Sequence, residues 1–354
     1  MMTTPRADHA SSDPIDSKPV DSRAVQSLVT APVRRRVALG LAAGTVLAGA
    51  PWVARAAWPS DAPIRMLVAY APGGGTDITA RLIAPFIEKY LGNGAKVVVM
   101  NRPGAGGAIG FAELAAAKPD GLTIGFINTP NALSIPIERK VSFHWQNYDL
   151  IGNVIDDPGV FAVHADSPIK SLADLAAFAR ANPGKVTVGT TGIGSDDHLA
   201  MMMFERQAGV KMTHVPFKGT AETRTGLQSQ TVMLAAANVG EVLGFIKGGS
   251  PFRALGQMSA ERTNLAPEMP TFKEQGHNIV SASLRGIAAP KGLPAEIREA
   301  LVAAVGKSAA DPEFQAKSTA AFTPLRYLAP PAYETELRET EVVLRQLWKE
   351  MPWN

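Results

Sequence analysis

Residues 69 to 77 read Ala-Tyr-Ala-Pro-Gly-Gly-Gly-Thr-Asp. An apolar run, Ile64 to Tyr70, precedes this turn, and apolar residues at helical spacing follow it from Ile78 to Leu91. Three consecutive glycines let backbone N–H groups face one point without Cβ obstruction. Thr76 adds a hydroxyl, and the helix that follows aims its positive end at the same spot. A strand–turn–helix corner of this kind places the chain among α/β folds and suits an anion, either a carboxylate or a phosphate.

The rest of the body agrees with that class. Short apolar runs alternate with helical patterns, which predicts mostly parallel strands. Strands are expected at 64–70, 96–100, 123–127, 150–154, 160–164, 186–190, 213–216, 231–237 and 253–258. Ser171 reads as an N-cap, since Asp174 and the series Leu172, Leu175, Ala176, Ala179 follow it. Pro294 opens another helix, and a last amphipathic helix is expected from Tyr333 to Lys349. With 46% hydrophobic and 19% charged residues in 354, the chain has core material for two domains. It has no cysteine, so disulfides, thiolate metal sites and a cysteine nucleophile are excluded.

The first 56 residues differ from the body. Residues 1 to 33 are rich in Ser, Asp, Pro and Thr without apolar periodicity. Arg34, Arg35 and Arg36 then precede an uncharged run from Val37 to Ala54, and Ala54-Arg55-Ala56 supplies a small–any–small cleavage pattern. This reads as an export leader, and its adjacent arginines and low hydrophobicity favour the twin-arginine route. An uncleaved membrane anchor is the competing reading. Removing the leader takes away seven of 35 basic and four of 32 acidic residues, leaving 28 of each. The basic balance therefore belongs to the leader and gives no reason to expect a nucleic acid partner.

A second corner echoes the first. Val-Thr-Val-Gly-Thr-Thr-Gly-Ile-Gly-Ser, from Val186 to Ser195, also joins an apolar run to a helical one. In open α/β sheets ligands bind at the carboxyl ends of strands, so two such corners in two domains would form a clamp. Asn101-Arg102-Pro103-Gly104-Ala105-Gly106-Gly107 resembles a dinucleotide fingerprint out of context, but Asn128 and Thr129 stand where the ribose-binding acid belongs. That loop reads instead as glycine required for tight packing. Ser195 and His198 could be neighbours on one helix, yet no oxyanion hole or third member accompanies them, and binding without chemistry is the favoured reading. The six histidines lack metal-site spacing, so neither metal nor cofactor is expected. Solvated loop or cap positions are the default for Asp156, Asp157, Asp196 and Asp197, with a cleft role open for the second pair. Met201-Met202-Met203-Phe204 reads as core packing.

Seven segments together carry a family resemblance. They are residues 70–77, 101–107, Lys-Pro-Asp-Gly at 118–121, 191–199, His-Val-Pro-Phe-Lys-Gly at 214–219, 269–276 and 288–294. In this order the chain resembles the periplasmic solute-binding proteins of the tripartite tricarboxylate transporter family, also called Bug proteins. The resemblance implies an α/β, two-domain periplasmic-binding-protein fold, a type II-like Venus flytrap with two hinge crossings. Residues 57–157 with 283–354 would form one domain and 158–282 the other. It also implies a monomeric periplasmic receptor, not an enzyme, that holds a small di- or tricarboxylate and delivers it to the membrane components of the transporter. Carried onto this sequence, the implied contacts are Gly74, Gly75, Thr76 and Asp77 from the first domain, and Thr191, Gly194 and Ser195 from the second; Asn128 joins them as a candidate contact. Asp77 can equally fix its turn through local hydrogen bonds.

Two departures stand out: Ser283-Leu284-Arg285-Gly286 where many members carry a Trp-Phe-Gly-like segment, and Asp196-Asp197 where small hydroxyl residues are common. Arg285 would either grip a ligand carboxylate or pair with Asp196 or Asp197, and Asp196 joins the candidate contacts. Acids in the cleft would admit a ligand with hydroxyl or amine groups. Two alternatives stay open: an exported hydrolase or lyase using Ser195 and His198, and a ligand sensor feeding a signalling partner.

Overall fold

The computed structural model describes residues 58–60 and 62–353. The leader, with its arginines and its cleavage pattern at 54–56, lies outside the described residues. In chain order the elements begin β1 (Ile64–Val68), α1 (Gly75–Leu91), β2 (Val97–Asn101), α2 (Ala108–Ala116), β3 (Thr123–Asn128), α3 (Asn131–Glu138) and β4 (Tyr148–His164). They continue α4 (Leu172–Ala181), β5 (Thr187–Thr190), α5 (Asp196–Ala208), β6 (Thr213–Pro216), α6 (Thr220–Gln228), β7 (Leu234–Asn238), α7 (Val239–Lys247) and β8 (Phe252–Gln257). The chain returns through β9 (Ala282–Pro290), α8 (Ala295–Ala310), α9 (Pro312–Ala320), β10 (Leu325–Leu328) and α10 (Pro330–Glu350). The Ser171 hydroxyl accepts the Asp174 amide hydrogen, as an N-cap should.

Two sheets share one strand. In the first, β1 lies parallel between β2 and β3, β9 runs antiparallel to β3, and the first part of β4 lies antiparallel between β9 and β10. In the second, β7, β5 and β6 are parallel, while the last part of β4 runs antiparallel to both β7 and β8. β4 therefore crosses from one sheet to the other, and β9 brings the chain back, so the parallel reading holds for the wound parts and fails at the crossing strands. A strand that joins two lobes enters the second in the opposite sense to the strands wound there.

Each sheet has its own buried mass. The first packs Ile64, Met66, Val68, Phe111, Ile124, Phe126, Ile287 and Tyr333 into one cluster. The second has a cluster on each face, one around Phe161, Met201, Phe204 and Phe272 and the other around Val160, Leu227, Val242 and Phe245. Each fully buried side chain of this size contributes roughly 1.5–3 kcal/mol. Leu199 of α5 joins the first cluster, although α5 follows a strand of the second sheet. The lobes are thus packed against each other along that helix.

Candidate functional site

Both turns lie at strand ends, with a helix leaving each. In the first turn Gly73 has φ +85°, a region that favours glycine. Its N–H donates to Asp77 Oδ2 at 2.9 Å. Asp77 also accepts from Arg81 Nε at 3.1 Å and from Asn101 Nδ2 at 3.0 Å. Burial pushes this carboxyl up, but the bonds from Arg81, Gly73 and Asn101 outweigh it and hold it below the usual range. Asp77 is the residue that fixes the turn. Beyond it, Asn128 Nδ2 donates to Thr76 Oγ1 at 2.8 Å.

The second turn is built the same way. Asp197 Oδ2 accepts from the Thr191 amide at 3.0 Å and from the Thr191 hydroxyl at 2.7 Å. Ser195 is fully buried, and its Oγ accepts the His198 amide hydrogen at 3.1 Å. His198 Nδ1 accepts the Gly194 amide at 3.2 Å, and its ring stacks on His214 at 3.9 Å between centroids. Burial and the neighbouring His214 drive the His198 pKa down to about 3, and burial takes His214 to about 4. Ser195 is therefore a helix cap, and the imidazole beside it is engaged elsewhere.

A third helix start completes the site. Glu241, in the first turn of α7, accepts the Asn238 amide at 3.2 Å through Oε2 and the Gly75 amide at 2.6 Å through Oε1. The N–H that was expected to face a ligand anion thus carries a carboxylate supplied by the other lobe. Arg285 comes from β9, where it is the register partner of Asn128 on β3 and Ile155 on β4. Its Nη2 donates to Asp157 Oδ2 and to Asn238 Oδ1, both at 3.1 Å, and lies 3.7 Å from Glu241 Oε1. Asp157, expected in solvent, is instead fully buried, because it sits on β4 where that strand crosses between the sheets. The partners of Arg285 are Asp157 and Glu241, not Asp196 or Asp197. Asp196 instead accepts from Asn238 Nδ2 at 2.7 Å.

These groups lie where water is excluded, so their charge states shift. Burial lifts Asp157 to about 7 despite Arg285, and lifts Asp196 to about 6 despite the Asn238 bond. Burial and the adjacent Asp196 raise Asp197 well above the carboxylate range. Arg285 moves upward: burial opposes its charge, but Asp157, Glu241 and Asp196 outweigh that.

Of the expected contacts, Gly74, Gly75, Thr76, Asn128, Thr191, Asp196 and Arg285 line one chamber of about 20 Å³. Asp77, Gly194 and Ser195 do not line it. Tyr70, Thr220, Asn238, Glu241 and Ser283 complete the wall. Only Asn238 and Glu241 left a readable signal, a cap residue followed three positions later by an acid, directly after an apolar strand. A volume near 20 Å³ is room for about one water molecule. On the far side of Glu241 and Arg285 lies a wider cavity of about 450 Å³, where Arg224, Phe245, Lys247 and Phe322 face it.

The rims meet directly. The Ser134 hydroxyl of α3 donates to Gly194 O at 2.6 Å, and the Ala71 amide donates to Lys218 O at 3.1 Å. A Cβ on Gly192 (φ +126°) would come within 2.9 Å of Gly106 Cα, so the glycine loop at 101–107 serves close approach between lobes. Four helix N-termini, those of α1, α5, α6 and α7, start from residues at the chamber wall. Together they make a region that attracts negative charge.

The chain as a whole is similar to known proteins. The family profile described as the tripartite tricarboxylate transporter family receptor matches residues 79–323. A Cupriavidus necator protein, the UPF0065 protein in the gbd 5' region, is 34% identical over 78% of this chain and 84% of its own length. The solved periplasmic binding protein BugD is 28% identical, with a TM-score of 0.77 over 82% of this chain and 98% of BugD. R. palustris Rpa4515 with adipate is 25% identical, with a TM-score of 0.78 over 83% of this chain and 98% of that one.

Proposed function

The chain belongs to the receptor family of the tripartite tricarboxylate transporters, as a solute-binding protein and not an enzyme, and we propose that it captures a small di- or tricarboxylate-type acid between its lobes and delivers it to the transporter's membrane components. The observation that carries this reading is the Glu241 carboxylate on the Gly75 amide at 2.6 Å. A corner that seats one carboxylate has the geometry to seat another. The adipate held by R. palustris Rpa4515 supports the same ligand class.

The lobes, 57–157 with 283–354 and 158–282, act as the two jaws. An incoming carboxylate takes the Gly75 seat, Glu241 withdraws, and Arg285 and Thr191 hold the rest of the ligand. Contacts to both jaws favour the closed state over the open one, and a difference of a few kcal/mol moves the population. The protein works as a monomer in the periplasm, exported by its leader and cleaved near Ala56. Thermal shift and calorimetry against a panel of di- and tricarboxylates test this reading. Stabilisation by at least one acid is expected, and no response to any member would sink it.

A further inference from the structure

The segment that follows α10 joins the two lobes. Pro352 cannot continue the helix, and the chain turns so that Trp353 packs edge-on against Trp348, 4.7 Å between ring centroids. Trp353 is fully buried within the cluster of the first lobe. Its far edge meets the second lobe: a Cβ on Gly194 would lie 3.2 Å from Trp353 Nε1 and 2.8 Å from Ser134 Oγ. The indole therefore abuts the second glycine corner beside the Ser134–Gly194 bond. Two residues earlier, Met351 lines a cavity of about 500 Å³ with Ala179 of α4 and Met202 and Arg206 of α5. Glu350 accepts from Arg206 Nη1 at 3.4 Å, and Met202 packs against the first lobe's cluster.

These contacts differ in weight. The Arg206–Glu350 pair is 61% and 46% exposed, so solvent screens it and it orients more than it holds. The indole is the larger contribution, because covering an aromatic ring removes much apolar surface from water. One group opposes it. The Trp353 N–H is buried without a partner, and Gly194 O takes its hydrogen bond from Ser134. Opening wets that edge of the indole and relieves the unpaired donor, which limits the hold. The chamber between the lobes has room for about one water, so this closed arrangement admits no diacid. The contacts that keep it shut are the protein's own.

We propose that Glu350, Met351 and Trp353 form a latch that holds the lobes together before any ligand arrives, so that capture begins with its release. The latch does not depend on which acid the cleft takes, and its test uses no ligand. The chain has no cysteine, so Val98→Cys and Thr213→Cys accept spin labels cleanly. Both positions are exposed, on β2 and β6, at the two ends of the strand order and far from the crossing strands β4 and β9. Double electron–electron resonance on the full-length, unliganded protein should show a short-distance, closed population. Trp353→Ala should reduce that population about threefold or more in favour of longer distances. Glu350→Ala with Met351→Ala, at positions that are not buried, should shift it the same way. A parent without the closed population overturns the proposal. So does a Trp353→Ala variant that melts earlier but keeps the parent's distances, since the indole would then serve the first lobe's core alone. Should Trp353→Ala fail to fold, the double variant decides: unchanged distances there overturn the latch. Either result leaves the receptor reading to its own calorimetric test.

Discussion

Glu241 reaches from the first turn of α7 to the first turn of α1 and accepts the Gly75 amide hydrogen at 2.6 Å, tying the two lobes together with a carboxylate of the protein's own. An external carboxylate that needs the same N–H competes with a tethered rival. Glu241→Gln keeps the shape and the cap on Asn238 while removing the charge. It should raise the affinity for a plain dicarboxylate about tenfold, or roughly 1.4 kcal/mol, with little change in melting temperature. Calorimetry with succinate reads the effect, and weaker binding would contradict the competition argument.

Gly75 is required for space. A Cβ there would lie 2.6–2.7 Å from Nη1, Cζ and Nη2 of Arg285. Gly75→Ala should push the guanidinium off Asp157 and leave that acid buried without its cation. Separating a buried pair costs about 3–5 kcal/mol, so a large loss of thermal stability is expected along with the loss of ligand binding. A variant that melts like the parent would show that Arg285 has another stable position.

Ser134 bridges the lobes. Its hydroxyl joins α3 of the first lobe to Gly194 of the second at 2.6 Å. Ser134→Ala removes one net hydrogen bond of about 1 kcal/mol. Ligand dissociation should accelerate about fivefold while association is unchanged, as stopped-flow fluorescence would register. Equal changes in both rates would place the bond outside the closing step.

Acid response follows from two opposed sets of groups. Asp196 titrates near 6 when folded and at about 3.9 when unfolded. Across that window the folded state holds more protons, so this group costs stability as pH rises through it. His198 and His214 titrate near 3 and 4 when folded and at about 6.5 when unfolded. Their contribution is present above about 6.5 and is lost as pH falls toward the folded values. Asp157, near 7, and Asp197, also raised, act in the same sense as Asp196 and against the histidines. Asp196→Asn removes one of the raised acids: relative to the parent, it should be at its most stable at pH 7.5 and should lose ground steadily toward pH 4.5. Melting curves at five pH values would reveal a parallel course instead if Asp196 were not perturbed.

The wound parts of the fold were readable because each strand there ends in a turn and a helix with its own local pattern. β1, β3, β5 and β6 lie where apolar runs placed them, within two residues at most ends. The crossing strands were not readable. Asp156-Asp157-Pro158-Gly159 looks like a turn between two strands, yet β4 runs through it, because its partners are on β9, far along the chain. β9 itself was overlooked, since Ala282–Pro290 is buried on both faces and shows no alternation. The same cause hid Asp157 and Glu241. Their importance comes from meeting Arg285 and Gly75, residues 128 and 166 positions away along the chain. The two glycine corners were legible as anion seats, but the occupant that the protein itself supplies was not.

The approach of Gly192 to Gly106 has a mechanical consequence. Main chain meets main chain there, with no side chain to act as a cushion, so the jaws have a hard stop. Ligands of different size would alter the interior of the chamber while the rims come to rest at one spacing. Small-angle scattering should then give the same closed profile with every bound acid. A docking protein would see a constant outline, and recognition of the cargo would be finished before docking began.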